Sequence, residues 1–211
     1  MIDPQLTAYL VFTTLLVVTP GSATAVVVRN VLEGGRPQGI AAAGGAAAGN
    51  TTYAILSGLG AAALFARVPA AFLLLRVVGS AYLAWLGIRS LGAAWRPQPP
   101  GLPGGLERSG AGGADRAARQ GFAQGFANNL VNPAVATFYL AVVPSFVDGA
   151  VSRRYALYAC IHVTMAFAYH STWVWALHEM RAFWAKPAAR RTLETLTGLA
   201  LLTLAAKVAT G

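Results

Sequence analysis

Across 211 residues only 11% are charged and 56% are hydrophobic, against about 25% charged in a soluble domain, so the chain cannot cover itself with polar surface and its solvent is expected to be lipid. The net charge of +9 would suit nucleic acid, but the basic residues flank apolar stretches, where membrane topology requires them, and nucleic acid is excluded as a partner. A single cysteine, Cys160, rules out an intrachain disulfide or a cysteine metal cluster, and no metal or other cofactor is expected.

Gaps in the charge mark the membrane spans. No charged residue lies between Asp3 and Arg29, Arg36 and Arg67, Arg119 and Asp148, or Arg154 and Glu179. Each gap exceeds the roughly 20 apolar residues that cross a bilayer. The N-terminus lacks a basic n-region and leads into an apolar run too long for a signal peptide, so it reads as a retained helix. Span one is expected over Pro4 to Val28, broken at Thr19-Pro20-Gly21, where proline removes a backbone donor and glycine loosens the chain. Span two covers Pro37 to Ala66; its Ala41, Gly45 and Gly49 recur every four residues and let another helix approach closely. Span three covers Pro69 to Leu91 and contains Arg76, which either snorkels outward or pairs inside. The Pro/Gly-rich stretch around Trp95 to Gly105 predicts a flexible cytoplasmic linker over 93–120. Span four covers Gly121 to Val147, broken at Asn132-Pro133. Span five covers Tyr155 to Leu177, and a shorter span six covers Arg190 to Ala209.

The segments after spans one, three and five carry eleven Lys and Arg, Arg29 and Arg36 among them, against three after spans two and four. The positive-inside rule puts the first set in the cytoplasm. Both termini then face outward from a bacterial inner membrane. Residues 1–92 and 121–211 each hold three spans, the first of each broken by proline. With Pro20 set against Pro133, Thr19 meets Asn132 and Thr24 meets Thr137. An odd number of spans inverts one copy relative to the other, the plan of many secondary transporters. The expected fold is an all-α polytopic membrane protein: six transmembrane helices in two inverted three-helix repeats.

Backbone that leaves the helix at membrane depth must be buried or line a wet cavity. A half-helix N-terminus suits a carboxylate and unwound carbonyls suit an ammonium, so paired breaks fit a zwitterion; simple proline kinks are the alternative. The candidate substrate-binding residues are Pro20, Gly21, Ser22, Thr24, Asn50, Asn129, Asn132, Pro133 and Thr137. His162 and His170 in span five are candidate proton relays, since histidine titrates near neutral pH; the alternative is neutral histidines bonded between helices. An intramembrane enzyme using Ser22 and His170 would need a nucleophile elbow that the sequence lacks, and a membrane scaffold would not need two broken helices. There is no P-loop.

The segments Thr19-Pro20-Gly21, Arg29 with Glu33-Gly34-Gly35-Arg36, Gly39 to Gly44, and Gly79-Ser80-Ala81-Tyr82-Leu83 resemble the LysE/RhtB family of amino-acid exporters. So do Gly121-Phe122, Gly125-Phe126, Asn129-Leu130-Val131-Asn132-Pro133 and Pro144-Ser145-Phe146-Val147. The resemblance implies efflux of amino acids or close analogues driven by an ion gradient, with protons the expected coupling ion. It implies an amino acid and membrane lipid as partners, and the glycine stripes could also join two copies as a homodimer. The chain departs from the family where Ser22-Ala23-Thr24 follow Pro20-Gly21 instead of a further proline. It also has Gly49-Asn50 where relatives often have glycine-aspartate; Asn50 can orient a ligand but cannot titrate.

Overall fold

The computed structural model describes residues 3–19, 21–60, 69–95, 111–147, 153–180, 183 and 186–210, and their regular structure is all helical, in seven helices. Helix α1 (Pro4–Val18) starts on an Asp3 cap that accepts from the Gln5 N–H at 2.9 Å, with proline in its first turn, the arrangement that a helix start favours. It ends where Thr19 turns extended (φ −72°, ψ 116°). Helix α2 (Ser22–Gly58) follows at a 45° bend, so the break expected at Thr19–Gly21 is present.

Helix α2 is itself a hairpin. Gly34 and Gly35 leave the helical pattern, and Gly35 has φ 71°, a region that favours glycine. The outbound arm (22–33) folds back on the return arm (36–58): Gln38 Nε2 donates to Asn30 Oδ1 at 2.8 Å, and a Cβ on Gly39 would lie 2.3 Å from a Val31 methyl. Pro37 fits because it falls in the first turn of the return arm, where its missing N–H is not needed. The segment expected as a cytoplasmic loop after Val28 is therefore helix, and it carries Arg29 and Asn30 fully inside the protein.

Helix α3 (Pro69–Trp95) holds Arg76, whose side chain lies outside the described residues, as does the linker centre, 96–110. Helix α4 (Ala111–Leu130) begins ten residues earlier than expected. The expected flexible linker over 93–120 is thus helical at 93–95 and 111–120; Ala114, Arg116, Ala117, Ala118 and Arg119 are strong helix formers that outweigh Gly112 and Gly113. The chain breaks at Val131–Asn132, and helix α5 (Pro133–Ser145) leaves at 59° to α4. Asn132 Oδ1 caps α5 by accepting from the Ala134 N–H at 3.0 Å, and residues 138–142 are wound as a π-helix. Helices α6 (Arg153–Glu179) and α7 (Pro187–Thr210) complete the fold.

Among the described residues, the stretch 77–95 is by itself long and apolar enough to cross a membrane, and the bent pairs α1–α2 and α4–α5 qualify when each is taken as one span. Helices α6 and α7 are long but turn polar residues inward, His162 and His170 on one, Glu194 and Thr197 on the other. Apolar side chains face outward instead: Val11 and Leu15 on α1, Leu73, Leu74 and Ile88 on α3.

Glycines set the contacts between helices. The return arm of α2 and α4 run parallel. A Cβ on Gly45 would meet the Phe122 carbonyl oxygen at 2.0 Å, and one on Gly125 the Ala42 carbonyl oxygen at 2.0 Å. Across α3 and α7, Gly87 and Gly198 face each other's carbonyls, where an added Cβ would lie at 3.0 Å, a tight but less severe contact. The stripe expected to serve close helix packing does so within one chain, so these glycines are not free to join two copies. Helix α1 runs parallel to α6: the Tyr9 ring stacks on Tyr158 at 4.3 Å, its hydroxyl donates to the Tyr158 carbonyl at 2.6 Å, and Arg154 pairs with Asp3 at 2.8 Å.

Gly125→Ala forces a methyl against backbone and is expected to destabilise by about 1–3 kcal/mol. Gly44→Ala, with nothing within 4 Å of the added Cβ, should stay within about 0.5 kcal/mol. Thermal unfolding of the detergent-solubilised protein compares the two; equal Tm values would contradict the described contact.

Candidate functional site

The two helix breaks meet. Ser22, the first residue of α2, points its Oγ at α4, where it accepts from Asn132 Nδ2 at 2.9 Å and Asn128 Nδ2 at 3.3 Å. The two N-termini differ. Asn132 caps α5, whereas no side chain caps α2, whose N-cap is the extended Gly21. Among the described residues the first N–H groups of α2 thus have no side-chain acceptor, and they stand at the positive end of the helix dipole. Beside them the buried Asn128 Oδ1 has no hydrogen-bond partner. Free donors and a free acceptor at one place can hold a carboxylate and an ammonium together.

Asn50 and Asn129 are placed differently. Asn129 Nδ2 donates to Asn50 Oδ1 at 2.9 Å and to the Ala46 carbonyl at 2.8 Å, while its Oδ1 accepts from Asn128 at 3.2 Å. This clasp ties the return arm to α4 and holds Asn128 in orientation. The uncharged Asn50 suffices for it, since the bond needs an acceptor and no charge.

A line of polar side chains leads away from the breaks. Gln124, one turn before Asn128 on α4, accepts through Oε1 from Asn30 Nδ2 at 3.0 Å and Arg29 Nη1 at 3.3 Å. Arg29 Nη2 pairs with Glu33, which is 24% exposed at the end of the arm, while Arg29 is 0% exposed. Ser22, Arg29, Asn30 and Glu33 on the outbound arm thus line one polar seam with Gln124 and Asn128 on α4 and Asn132 just beyond it, buried except at Glu33. Sequence reading missed Arg29, Asn30, Gln38, Gln124 and Asn128. The available signal was the spacing Gln124, Asn128, Asn132, each four residues from the next and so on one helix face.

The remaining candidates divide. His162 Nδ1 shares a hydrogen bond with the Tyr139 hydroxyl at 2.7 Å and its ring packs on Phe138 at 4.2 Å. Both partners lie in the π-helical stretch, a distortion that recurs at functional sites. His170 is buried two turns along the same helix, beside the Tyr169 ring. Thr24 is buried and Pro133 half-buried near the breaks, but Thr137 is exposed and does not join the seam; one turn into α5, its side chain has rotated off the face that Asn132 presents. Pro20 lies outside the described residues. Ser22, imagined as a nucleophile activated by His170, is bonded instead to two asparagine amides, which cannot act as its base. Among the described residues no cluster of His, Cys, Asp or Glu could hold a metal. A separate cavity of about 690 Å³ between the return arm and α6, lined by Ile55, Leu59, Tyr155, Ala159 and Val163 among others, is mostly apolar and ill-suited to a zwitterion.

The sequence matches the LysE type translocator family over residues 14–211. It is 23% identical over 200 residues to the uncharacterized membrane protein YrhP of Bacillus subtilis (strain 168), covering 94% of this chain and 95% of that one. It is 31% identical over 140 residues to the homoserine/homoserine lactone efflux protein of Salmonella typhimurium (strain LT2), covering 66% of this chain and 63% of that protein. It is 28% identical over 140 residues to the leucine efflux protein of Enterobacter sp. (strain 638), covering 66% and 62%. The chain thus spans less than two thirds of the length of these two efflux proteins. No solved structure matches. The family is one of membrane transporters and not of enzymes. By the match along nearly its whole length, the chain belongs to the LysE type translocator family.

Proposed function

We propose that this chain exports small neutral amino acids across the bacterial inner membrane, binding them where its two broken helices cross. The observation that carries the reading is the hydrogen bond from Asn132 to Ser22 at 2.9 Å, which brings both breaks to one place beside an uncapped helix start and the unpartnered Asn128 Oδ1. The substrate carboxylate takes the N–H groups at the start of α2, and its ammonium takes Asn128 Oδ1. The groups at the crossing are polar and uncharged, which suits a side chain without charge. The relatives named for homoserine, homoserine lactone and leucine efflux point to the same range.

In this reading the six spans are α1 with the outbound arm, the return arm, α3, α4 with α5, α6, and α7. They form two inverted repeats, 1–92 and 121–211, joined by the linker. Exchange of partners between halves supports it: span one lies parallel to span five through Tyr9–Tyr158, span two parallel to span four through Gly45–Phe122, and spans three and six meet antiparallel at Gly87–Gly198. With Arg29 removed from the loop count, the basic residues still divide ten against three, which supports cytoplasmic Gly34–Gly35 and outward termini. Protons drive export, with His170 or His162 as relay; both are buried on α6, beside the paths of spans one and four.

Asn132→Ala removes both the α5 cap and the bond to Ser22. Export of radiolabelled homoserine or leucine from reconstituted vesicles should fall at least about 10-fold, since a lost helix cap and a lost hydrogen bond cost about 1 kcal/mol each, while the protein still inserts. Export at the unaltered rate would remove the crossing as the binding site. Pro133→Ala should impair export in the same assay by straightening the second break. With His162→Gln and His170→Gln measured separately against external pH, the pH dependence should be lost in at least one. Dependence unaltered in both would dispose of the histidine relay and leave the export reading standing.

A further inference from the structure

The crossing does not use the ion pair of the enclosed Arg29 and the partly exposed Glu33 that lies near it. Arg29 is completely enclosed, and enclosing a guanidinium is unfavourable where an apolar side chain of similar size would pack as well. Its bonds are incomplete: Nη1 goes to Gln124 and Nη2 to Glu33, but Nε is buried with no partner. A guanidinium offers five donors in a fixed fork that matches a carboxylate. Glu33, one turn further on, keeps part of its surface open at the rim. Gln124 links this pair to Asn128, one turn away along α4.

We infer that Arg29 and Glu33 form an entry subsite that receives the carboxylate and ammonium of a zwitterionic amino acid before it reaches the helix crossing. The inference rests on the export reading and deepens it. An arriving zwitterion exchanges partners with the resident ion pair. Its carboxylate takes Arg29, including the unpartnered Nε, and its ammonium takes Glu33, so one ion pair and one zwitterion become two ion pairs without unpaired charge. Movement of Arg29 toward the ligand frees Gln124 Oε1, which then accepts from the ammonium as the ligand passes to Asn128. The subsite selects first for both charged ends of the ligand, and the crossing then binds those ends again and tests the neutral side chain.

Everted membrane vesicles expose the end of the bundle that carries Glu33. Uptake of radiolabelled homoserine is competed with homoserine lactone, which has the amine and no free carboxylate, and with N-acetylhomoserine, which has the carboxylate and no ammonium. For the unaltered chain both competitors should be about 10- to 100-fold weaker than homoserine, the range for losing a bond to a charged group. Arg29→Gln should raise the KM for homoserine to the level of the lactone and leave the lactone unaffected. Glu33→Gln should raise it to the level of the N-acetyl compound. Each single variant leaves one charge without its counterion, so the double variant Arg29→Gln/Glu33→Gln is measured too, and should narrow the preference for homoserine over both competitors at least about 10-fold, to what the crossing alone contributes. Equal weakening of all three by each single variant, or a preference for homoserine undiminished in the double variant, would overturn the subsite. If the unaltered chain takes up no homoserine or leucine, the export reading falls, and the subsite with it; uptake that keeps its preference in the variants sinks the subsite alone.

Discussion

A helix inside a bilayer can stop only where something else takes over the hydrogen bonds that it abandons. That constraint organises this molecule. At the first break, the Val18 carbonyl accepts from the Tyr169 hydroxyl at 3.1 Å. At the second, the Leu130 carbonyl accepts from the Tyr53 hydroxyl at 2.7 Å, and Asn132 supplies the cap that α5 needs. The π-helical stretch frees the Tyr139 carbonyl, and Ser57 donates to it at 2.6 Å. Each irregularity is matched by a hydroxyl or amide from a different helix, so the breaks are built into the packing and the tyrosines have a reason to be buried. The start of α2 is the exception, with no side-chain cap, and the polar seam converges there.

The same seam depends on how closely the helices come together. Asn129 reaches Asn50 and the Ala46 carbonyl because Gly45, Gly49, Gly121 and Gly125 let the return arm and α4 touch backbone to backbone. Without that approach the amides would be too far apart to bond directly, and Asn128 would lose the neighbour that orients it. Close packing along one seam and open valences at its end are two results of one pattern of small residues.

Much of this was readable beforehand. Proline next to glycine, and asparagine before proline, foretold the breaks, because the backbone chemistry of those residues is local. Thr137 lies off the seam, since aligning two halves by position ignores how far a helix rotates within one turn. Arg29 was misread because charges were used to bound the spans. The glycine pair that follows turns the chain in two residues, so the helix runs on through the arginine. Gln124 and Asn128 carry no motif, and only their four-residue spacing from Asn132 marks them. The early start of α4 went unseen because glycine and proline nearby dominated the reading over alanine and arginine. The π-helical stretch has no local signature at all; it depends on Ser57 and His162 arriving from elsewhere in the chain.

The turn at Gly34–Gly35 has one more effect. With two residues between them and Gln38 bonded across to Asn30, the arms of α2 have no slack and must swing as one lever. On the proposed export reading, opening toward one face of the bilayer moves the outbound arm together with the return arm and the face of α4 clamped to it. The pivot for that motion falls between Thr19 and Gly21, both of which are already extended.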